Sequence, residues 1–155
     1  MAVELLIRPI HSDGNDMALI REWNALPEIM RISNAAALTD DESLLDASET
    51  DSVYVIEFEN DVIGCINITL NHRNALAEIG IMIGEREFRG QGIGTQALTK
   101  TLEQLKTNVA VNYAIAYIHE TNTAARRLFE SAGFQAGNTV WFKDFKATLY
   151  KFALR

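Results

Sequence analysis

A glycine-rich run between residues 85 and 95 constrains the fold of this chain more than any other feature. It reads Glu-Arg-Glu-Phe-Arg-Gly-Gln-Gly-Ile-Gly-Thr, with glycines at 90, 92 and 94. An apolar, strand-like segment precedes it and a strongly helical segment follows it. Glycine is unfavourable at a helix start unless the backbone takes positive φ or approaches another group closely. Because the first turn of a helix carries free N–H groups and the positive end of the helix dipole, the run predicts a cradle for an anion, in particular phosphate.

Length and composition narrow the class of protein. The chain has 155 residues, which suits one domain over 1–155, and its 48% hydrophobic and 23% charged content is typical of a folded, soluble protein. No apolar stretch approaches the roughly 18 residues of a membrane helix, and the first residues do not resemble a signal peptide. We therefore expect a cytoplasmic protein with no membrane partner.

The charge balance bears on partners. A net charge of −7 disfavours nucleic acid, which needs a basic footprint, and suits a cationic partner such as an amine. Solubility alone explains the same acidity equally well.

The single cysteine, Cys65, lies in the apolar alternation Val62-Ile-Gly-Cys-Ile-Asn-Ile68. It cannot form an internal disulfide. Its surroundings predict a buried structural thiol rather than a nucleophile.

The pattern of apolar residues, caps and turns predicts the order β-α-α-β-β-β-α-β-α-β-β. Strands are expected near 5–9, 52–59, 62–70, 75–83, 113–118, 140–142 and 147–152. The expected helices are one capped by Ser12 or Asp13, one begun by a Thr39–Glu42 capping box, one over 92–106, and one from Asn122 to Ser131 that Gly133 ends.

Connection lengths then predict the sheet. Tight turns near 60–61, 71–74 and 143–144 imply antiparallel neighbours, whereas a helix links 75–83 to 113–118 and implies a parallel pair. The result is an α/β fold with a mixed sheet and helices on both faces. The glycine run lies at the carboxyl end of a strand, where open α/β sheets bind ligands.

Two spaced motifs resemble the GCN5-related N-acetyltransferases, the GNAT superfamily. Arg89-Gly-Gln-Gly-Ile-Gly94 matches the pattern Arg/Gln-x-x-Gly-x-Gly/Ala between a strand and a helix. Asn122-Thr-Ala-Ala-Arg-Arg-Leu-Phe-Glu-Ser-Ala-Gly-Phe134 matches Asn-x-x-Ala-x-x-Leu-Tyr-x-x-x-Gly-Phe. The resemblance covers nearly the whole chain and is strongest to the ribosomal-protein and polyamine acetyltransferase branch. It implies the GNAT fold, with about seven strands and four helices, acetyl-CoA as cosubstrate and no metal; a homodimer is compatible with it.

The resemblance also implies roles for particular residues. Main-chain N–H groups of the glycine run would hold the CoA pyrophosphate, which involves Arg89, Gly90, Gln91, Gly92, Ile93, Gly94 and Thr95. The end of the preceding strand, Met82-Ile83-Gly84, would pair with the pantetheine amides, and Asn122 would contact the pantetheine arm. Phe129, in the second motif, is also expected among the cofactor-binding residues. The two parallel strands would separate, with the thioester between them.

Two other nucleotide sites share part of this pattern. Gly92-Ile-Gly-Thr-Gln-Ala97 fits the dinucleotide fingerprint, but a loop separates it from the strand and position 114 is Ala rather than an acid. A P-loop needs a Gly-Lys-Ser/Thr sequence, and Lys100 lies a turn or more into the helix.

Acetyl transfer to an amine requires a base, because an alkyl ammonium has a pKa of about 10.4 and its deprotonation at pH 7 costs about 4–5 kcal/mol. Glu78, inside an apolar strand that leads to the glycine run, is the leading candidate. His119, at the end of the other parallel strand, is the alternative. The plainer interpretations are a solvated or Arg-paired strand glutamate and an ordinary loop histidine.

The general acid is where this chain departs from the family. The tyrosine that commonly fills this role falls at Phe129, which cannot donate a proton. Water, the amine's own proton, Tyr113 or Tyr117 would have to protonate the leaving thiolate instead. A donor to the oxyanion is expected from a strand N–H near Ile83.

Two functions follow from this pattern. The first is an acetyl-CoA-dependent N-acetyltransferase acting on a primary amine (a protein N-terminus, a polyamine or a small molecule) by direct attack. The second is a slow or non-catalytic CoA-binding and sensing module on the same fold. Four acids in the variable region would attract a cationic acceptor if they line its pocket, and otherwise form a solvated helix start: Glu28, Asp40, Asp41 and Glu42.

Overall fold

The computed structural model describes residues 4–11, 13–30, 49–142 and 145–155. Within these ranges the chain forms seven strands and four α-helices. The strands are β1 (Leu5–Pro9), β2 (Glu49–Phe58), β3 (Asp61–Asn71), β4 (Leu76–Ile83), β5 (Tyr113–His119), β6 (Gln135–Phe142) and β7 (Phe145–Ala153). The helices are α1 (Asn15–Asn24), α2 (Pro27–Met30), α3 (Ile93–Lys106) and α4 (Thr123–Ser131), with a 3₁₀ turn at Arg86–Phe88 before α3.

The strands form one mixed sheet in the order β1-β2-β3-β4-β5-β7-β6. Every neighbouring pair is antiparallel except β4 and β5. The predicted mixed sheet and its parallel crossover through α3 are confirmed.

Helices cover both faces of the sheet. On one face α3 and α4 bury Leu98 and Phe129 with Ile66 of β3. On the other face α1 buries Ile20 and Trp23 against Cys65, the next residue towards the start of β3. Because successive strand residues point to opposite faces, β3 contributes to both cores.

The structure corrects the predicted start of the first helix. α1 begins after Gly14, which has φ 86°, and not at Ser12 or Asp13. The Asp13 side chain accepts a hydrogen bond from the Asn15 N–H at 3.0 Å, which closes a short turn around Gly14 at the start of the helix. Ser12 lies outside the described residues.

Further differences concern element bounds. β2 begins at Glu49, three residues earlier than expected. α2 forms at Pro27–Met30, in a stretch whose sequence is irregular, whereas the predicted Thr39–Glu42 capping box and the 143–144 turn lie outside the described residues. The turn between β2 and β3 is at Glu59–Asn60, one residue earlier than expected, with φ 52° and 70°. β6 begins at Gln135, five residues early, because its exposed first half pairs with β7 through main-chain bonds and carries no apolar alternation.

Arg8 joins β1 to both α1 and β2. Its Nη1 donates to Asp16 Oδ2 at 2.8 Å and its Nε to Glu57 Oε1 at 2.9 Å. Asp16 is buried and also accepts from the His11 N–H at 2.7 Å. The bond from Arg8 holds the pKa of the Asp16 carboxyl below its usual range.

We expect Asp16→Asn to lower the unfolding free energy by about 1–2 kcal/mol at pH 7, because it removes the charged partner of Arg8. Since the folded pKa lies below the unfolded value of about 3.9, this contribution is complete above about pH 5 and is lost as the pH falls below about 4. Urea unfolding of both proteins from pH 7 to pH 3 measures the difference, with the exposed Asp61→Asn as control. A difference that stays constant down to pH 3 would contradict this account.

Candidate active site

A gap between β4 and β5 defines the site. The two strands pair at three positions only within the described chain, from Leu76–Tyr113 to Glu78–Ile115. Beyond Glu78, β4 remains paired with β3 as far as Ile83, and β5 remains paired with β7 as far as His119. The expected separation of the two parallel strands is confirmed.

Main-chain groups of β4 face this gap. The Ala75 carbonyl accepts from Asn112 N–H at 2.8 Å, so odd-numbered residues here direct their N–H and C=O groups towards β5. By the same alternation Ile79, Ile81 and Ile83 direct theirs into the gap. Gly84, just past the strand, donates its N–H to Ile63 O at 2.8 Å.

A cavity of about 700 Å³ occupies the gap and is lined from both faces of the sheet. It brings together most of the predicted site residues: Glu78, Met82, Ile83, Arg89, Gly90, Gly92, Ile93, Gly94, Thr95, His119, Asn122 and Phe129. Gly84 and Gln91 do not line it. A Cβ on Gly84 would come within 2.0 Å of Trp23, and the exposed Gln91 donates from Nε2 to Glu87 O at 2.6 Å.

The glycine run leaves the start of α3 open. Gly90 and Gly92 have φ 73° and 79°, and Gly92 is the N-cap residue of α3 with no side-chain cap. The first turn has no acidic residue, and its N–H groups have no intrahelical acceptor. At α4, by contrast, Asn122 Oδ1 accepts from Ala125 N–H at 3.1 Å. Of the two helix starts at the cavity, that of α3 therefore has no side-chain cap and leaves its first N–H groups available to an anion.

The third glycine has a packing role. A Cβ on Gly94 would lie 2.5 Å from Leu128 Cδ1, so glycine allows α3 to approach α4 closely.

Arg89 ties the glycine run to the end of β4. Its Nε donates to Ile83 O at 2.8 Å, its Nη2 to Gly84 O at 3.0 Å and its Nη1 to Glu28 Oε2 at 3.2 Å. Glu28 also accepts a bidentate pair from Arg86. The bond from Arg86, above all, lowers the pKa of Glu28 to about 2.

Glu28 thus holds the glycine run through two arginines, and its charge is largely compensated. The other acids expected to attract an amine, Asp40, Asp41 and Glu42, lie outside the described residues.

A polar row crosses the face of the sheet that α1 covers. Glu78, Thr69 and Asp51 lie side by side on β4, β3 and β2, and Thr69 Oγ1 donates to Asp51 Oδ1 at 3.1 Å. In the next row Asn67 lies opposite Gly80. All five residues line the cavity.

Strand β5 contributes to the same face. Its register places Ile115 beside Glu78, so Tyr117 and His119 lie on the face that carries Glu78. His119 Nδ1 lies 3.2 Å from the Thr121 N–H and 2.7 Å from Thr121 Oγ1, and its ring stacks on Phe145 with centroids 5.1 Å apart. Tyr113 is at the far end of β5, outside the cavity, with Lys151 Nζ 3.9 Å above its ring. Of the two tyrosines considered as acids, only Tyr117 borders the cavity.

Phe129 borders the cavity from the opposite face. It is 2% exposed and packs edge-to-face on Phe134, with centroids 4.9 Å apart. Its position is therefore fixed by the core of α4.

Cys65 is buried, as predicted, and burial raises the pKa of its thiol to about 12. A thiol with this pKa is almost entirely protonated near neutral pH and is a poor nucleophile.

Sequence reasoning missed Asp51, Asn67 and Thr69 on the polar face, and Arg127 on α4. The signal for β3 was present, because Cys65, Asn67 and Thr69 alternate with apolar residues that enter the opposite core. Arg127 is exposed and lines the cavity. The sequence motif does not show which of the adjacent Arg126 and Arg127 would do so.

Within the described ranges there is no group of three or more His, Cys, Asp and Glu side chains placed to hold a metal ion. The same residues include no helix long and apolar enough to cross a membrane.

Residues 4–135 match the family model described as Acetyltransferase (GNAT) domain. An uncharacterized N-acetyltransferase of Methanocaldococcus jannaschii is 36% identical over 83 residues, which is 53% of this chain and 51% of that protein. A second, uncharacterized protein of the same organism is 30% identical over 141 residues, which is 85% of this chain and 28% of that protein. This chain spans about half or less of the length of these curated relatives.

Solved structures share the fold at lower identity. Aminoglycoside acetyltransferase AAC(6')-Ib in complex with coenzyme A superposes with a TM-score of 0.81 at 20% identity, over 97% of this chain and 95% of that chain. Spermidine N-acetyltransferase from Vibrio cholerae, in complex with CoA and spermine, gives 0.75 at 19% identity, over 97% and 95%. The predicted GNAT fold is confirmed.

Proposed function

The chain belongs to the GNAT acetyltransferase family, and from that premise we propose that it transfers an acetyl group from acetyl-CoA to a primary amine by direct attack. One observation carries the proposal. A single cavity joins the uncapped start of α3 to the polar face around Glu78, through the gap between β4 and β5. Donor and acceptor can therefore meet at the gap from opposite faces of the sheet.

The donor side suits CoA. The N–H groups of the Gly90–Thr95 run would bind the pyrophosphate, and Arg127, also on the cavity wall, carries a charge suited to phosphate. The pantetheine amides would pair with the gap-facing main chain of Ile79, Ile81 and Ile83. Within the predicted Met82–Gly84 segment, Ile83 is the residue with this orientation. Its N–H would serve the oxyanion, since Arg89 occupies its carbonyl.

The acceptor side favours Glu78 over His119 as base. Glu78 lies at the point where the strands separate, on the face away from α3 and α4. In neutral His119, Nδ1 accepts from the Thr121 N–H, so the proton is on Nε2 and no free lone pair faces an incoming ammonium. Glu78, directly or through water, is therefore the base we propose.

The properties of Cys65, the only cysteine in the sequence, favour direct attack over a covalent intermediate on sulfur. An acetyl-enzyme intermediate on sulfur would need a reactive thiolate, whereas the buried Cys65 thiol has its pKa raised to about 12. The amine would attack the thioester itself.

The acceptor class follows from charge. Glu78 and Asp51 lie in one row on the cavity wall and suit a cationic amine. The solved neighbours are named for aminoglycoside and spermidine acetylation. The choice among a polyamine, a small-molecule amine and a protein N-terminus, the cytoplasmic location and a homodimer stay predictions.

We expect the protein to release free CoA thiol from acetyl-CoA when supplied with an amine from a panel of these three classes. Glu78→Gln should lower kcat about 10²–10⁴-fold with the KM for acetyl-CoA within twofold, because only deprotonation is lost. Raising the pH towards 10 should restore much of the rate, because the amine then deprotonates itself. The exposed Glu103→Gln is the matched control. If no amine gives turnover although CoA binds, the catalytic proposal fails; if His119→Gln and not Glu78→Gln abolishes turnover, His119 is the base.

The second candidate, a slow or non-catalytic CoA sensor, is favoured by one observation. Phe129 is a buried hydrocarbon ring at the cavity wall where a proton donor would stand. CoA thiolate has a pKa of about 8.5 and is a tolerable leaving group, so an enzyme can manage without that donor.

We expect Phe129→Tyr to change kcat less than threefold, with Phe129→Leu as the packing control. Steady-state rates over pH 6–9 measure it. A gain of tenfold or more would show that the acid step has lapsed and would favour the sensor.

A further inference from the structure

The side-chain oxygen of Asn67 is buried and lacks a hydrogen-bond donor in the described chain. It is in the middle of β3, on the face covered by α1, and it lines the cavity. Its Oδ1 has no hydrogen-bond partner among the described residues. An unpaired buried acceptor destabilises a fold, so its retention here requires an explanation.

The neighbours of Asn67 show where a partner would come from. Two residues before Asn67 on β3, Cys65 lies opposite Met82, and both belong to the apolar cluster under α1. Two residues after it, Thr69 lies opposite Glu78. Directly opposite is Gly80, where even a Cβ would lie 3.9 Å from Asn67 Cβ. Gly80 contributes no side chain beside the Asn67 amide, and both residues line the cavity.

We propose that Asn67 positions the acceptor amine, a role that rests on the proposed function. Its Oδ1 accepts an N–H from the amine nitrogen while Glu78 removes a proton from the same nitrogen. Diagonal neighbours on adjacent strands, such as these two, lie about 7–8 Å apart at their backbones, with their side chains closer. One nitrogen with hydrogen bonds of about 2.9 Å to each side chain spans that distance.

The proton balance makes Asn67 selective for primary amines. The ammonium R–NH₃⁺ gives one proton to Glu78, and the neutral amine keeps two N–H groups. Its lone pair forms the bond to the thioester carbon, the carbon–sulfur bond breaks, and CoA leaves as thiolate. The nitrogen then loses a second proton; of the two released, one neutralises the thiolate and the other passes to solvent. The product amide keeps one N–H, so a primary amine can remain bonded to Asn67 Oδ1 throughout.

A secondary amine cannot keep this bond. After deprotonation it has one N–H, and acetylation removes it. Asn67 would therefore lose its partner at the bond-forming step, and N-methylated acceptors should react more slowly.

Asn67→Leu tests the proposal, because leucine is close in size and has no acceptor. With the best amine of the panel, we expect its KM to rise at least tenfold while the KM for acetyl-CoA stays within twofold. The preference for that amine over its N-methyl derivative should fall at least fivefold. The melting temperature should be unchanged or higher, because the orphan oxygen is gone. Asn67→Asp keeps an acceptor oxygen and should restore the amine KM to within threefold, and the exposed Asn138→Leu on β6 should alter neither KM.

Other outcomes overturn the proposal. An unchanged amine KM in Asn67→Leu means that the oxygen does not contact the acceptor. A lower melting temperature with both KM values raised means a structural role, such as holding a buried water. If the wild type acetylates no amine, the proposed function fails on its own, and Asn67 is judged by binding: n-butylamine should raise the melting temperature of the CoA-loaded wild type and not of Asn67→Leu. Equal shifts, or none in either protein, would reject it.

Discussion

The separation of β4 from β5 is the constraint on which the rest of this site depends. Each strand keeps its other neighbour: β4 follows β3 to Ile83, and β5 follows β7 to His119. The main-chain groups that would have joined them therefore face a cavity instead of each other. A polar backbone edge cannot stay buried without partners. The gap therefore leaves main-chain N–H and C=O groups able to pair with an extended ligand that carries amides of its own.

The elements on the two sides of the gap contribute different chemical groups. On the α3 and α4 side, glycines at 90 and 92 leave a helix start without a cap, and Gly94 lets the two helices pack closely. On the other side, strands supply carboxylates, a hydroxyl and an amide. The Arg89 bonds to Ile83, Gly84 and Glu28 connect these sides, so the glycine run is held by the end of β4, the strand whose main chain faces the gap.

Much of this arrangement could be predicted from the sequence because its signals are local. Positive φ at Gly90 and Gly92, the Asn122 cap and the connections that set strand direction depend on neighbouring residues. The start of β6 could not be predicted, because an exposed edge strand is held by main-chain bonds and its side chains need no pattern. The predicted N-cap of α1 was wrong. Gly14 takes that position through a positive φ, where a side-chain oxygen was expected.

The site residues also fall into those that a local motif predicts and those that only the folded structure brings together. The glycine run is a contiguous motif, whereas the polar face around Glu78 is assembled from β2, β3, β4 and β5 and appears only when the register is known. Asn67 is the clearest case: in sequence it is one polar residue in an apolar strand, and its orphan oxygen is a property of the packed structure.

Residue-resolved amide hydrogen exchange, with and without saturating CoA, tests the central claim that CoA occupies the gap between β4 and β5. With CoA in the gap, we expect slower exchange at Ile81 and Ile83 and across 90–95, no change at the β1–β2 edge, and no such protection by NAD. Protection confined to other elements, or the same pattern with NAD, would contradict it.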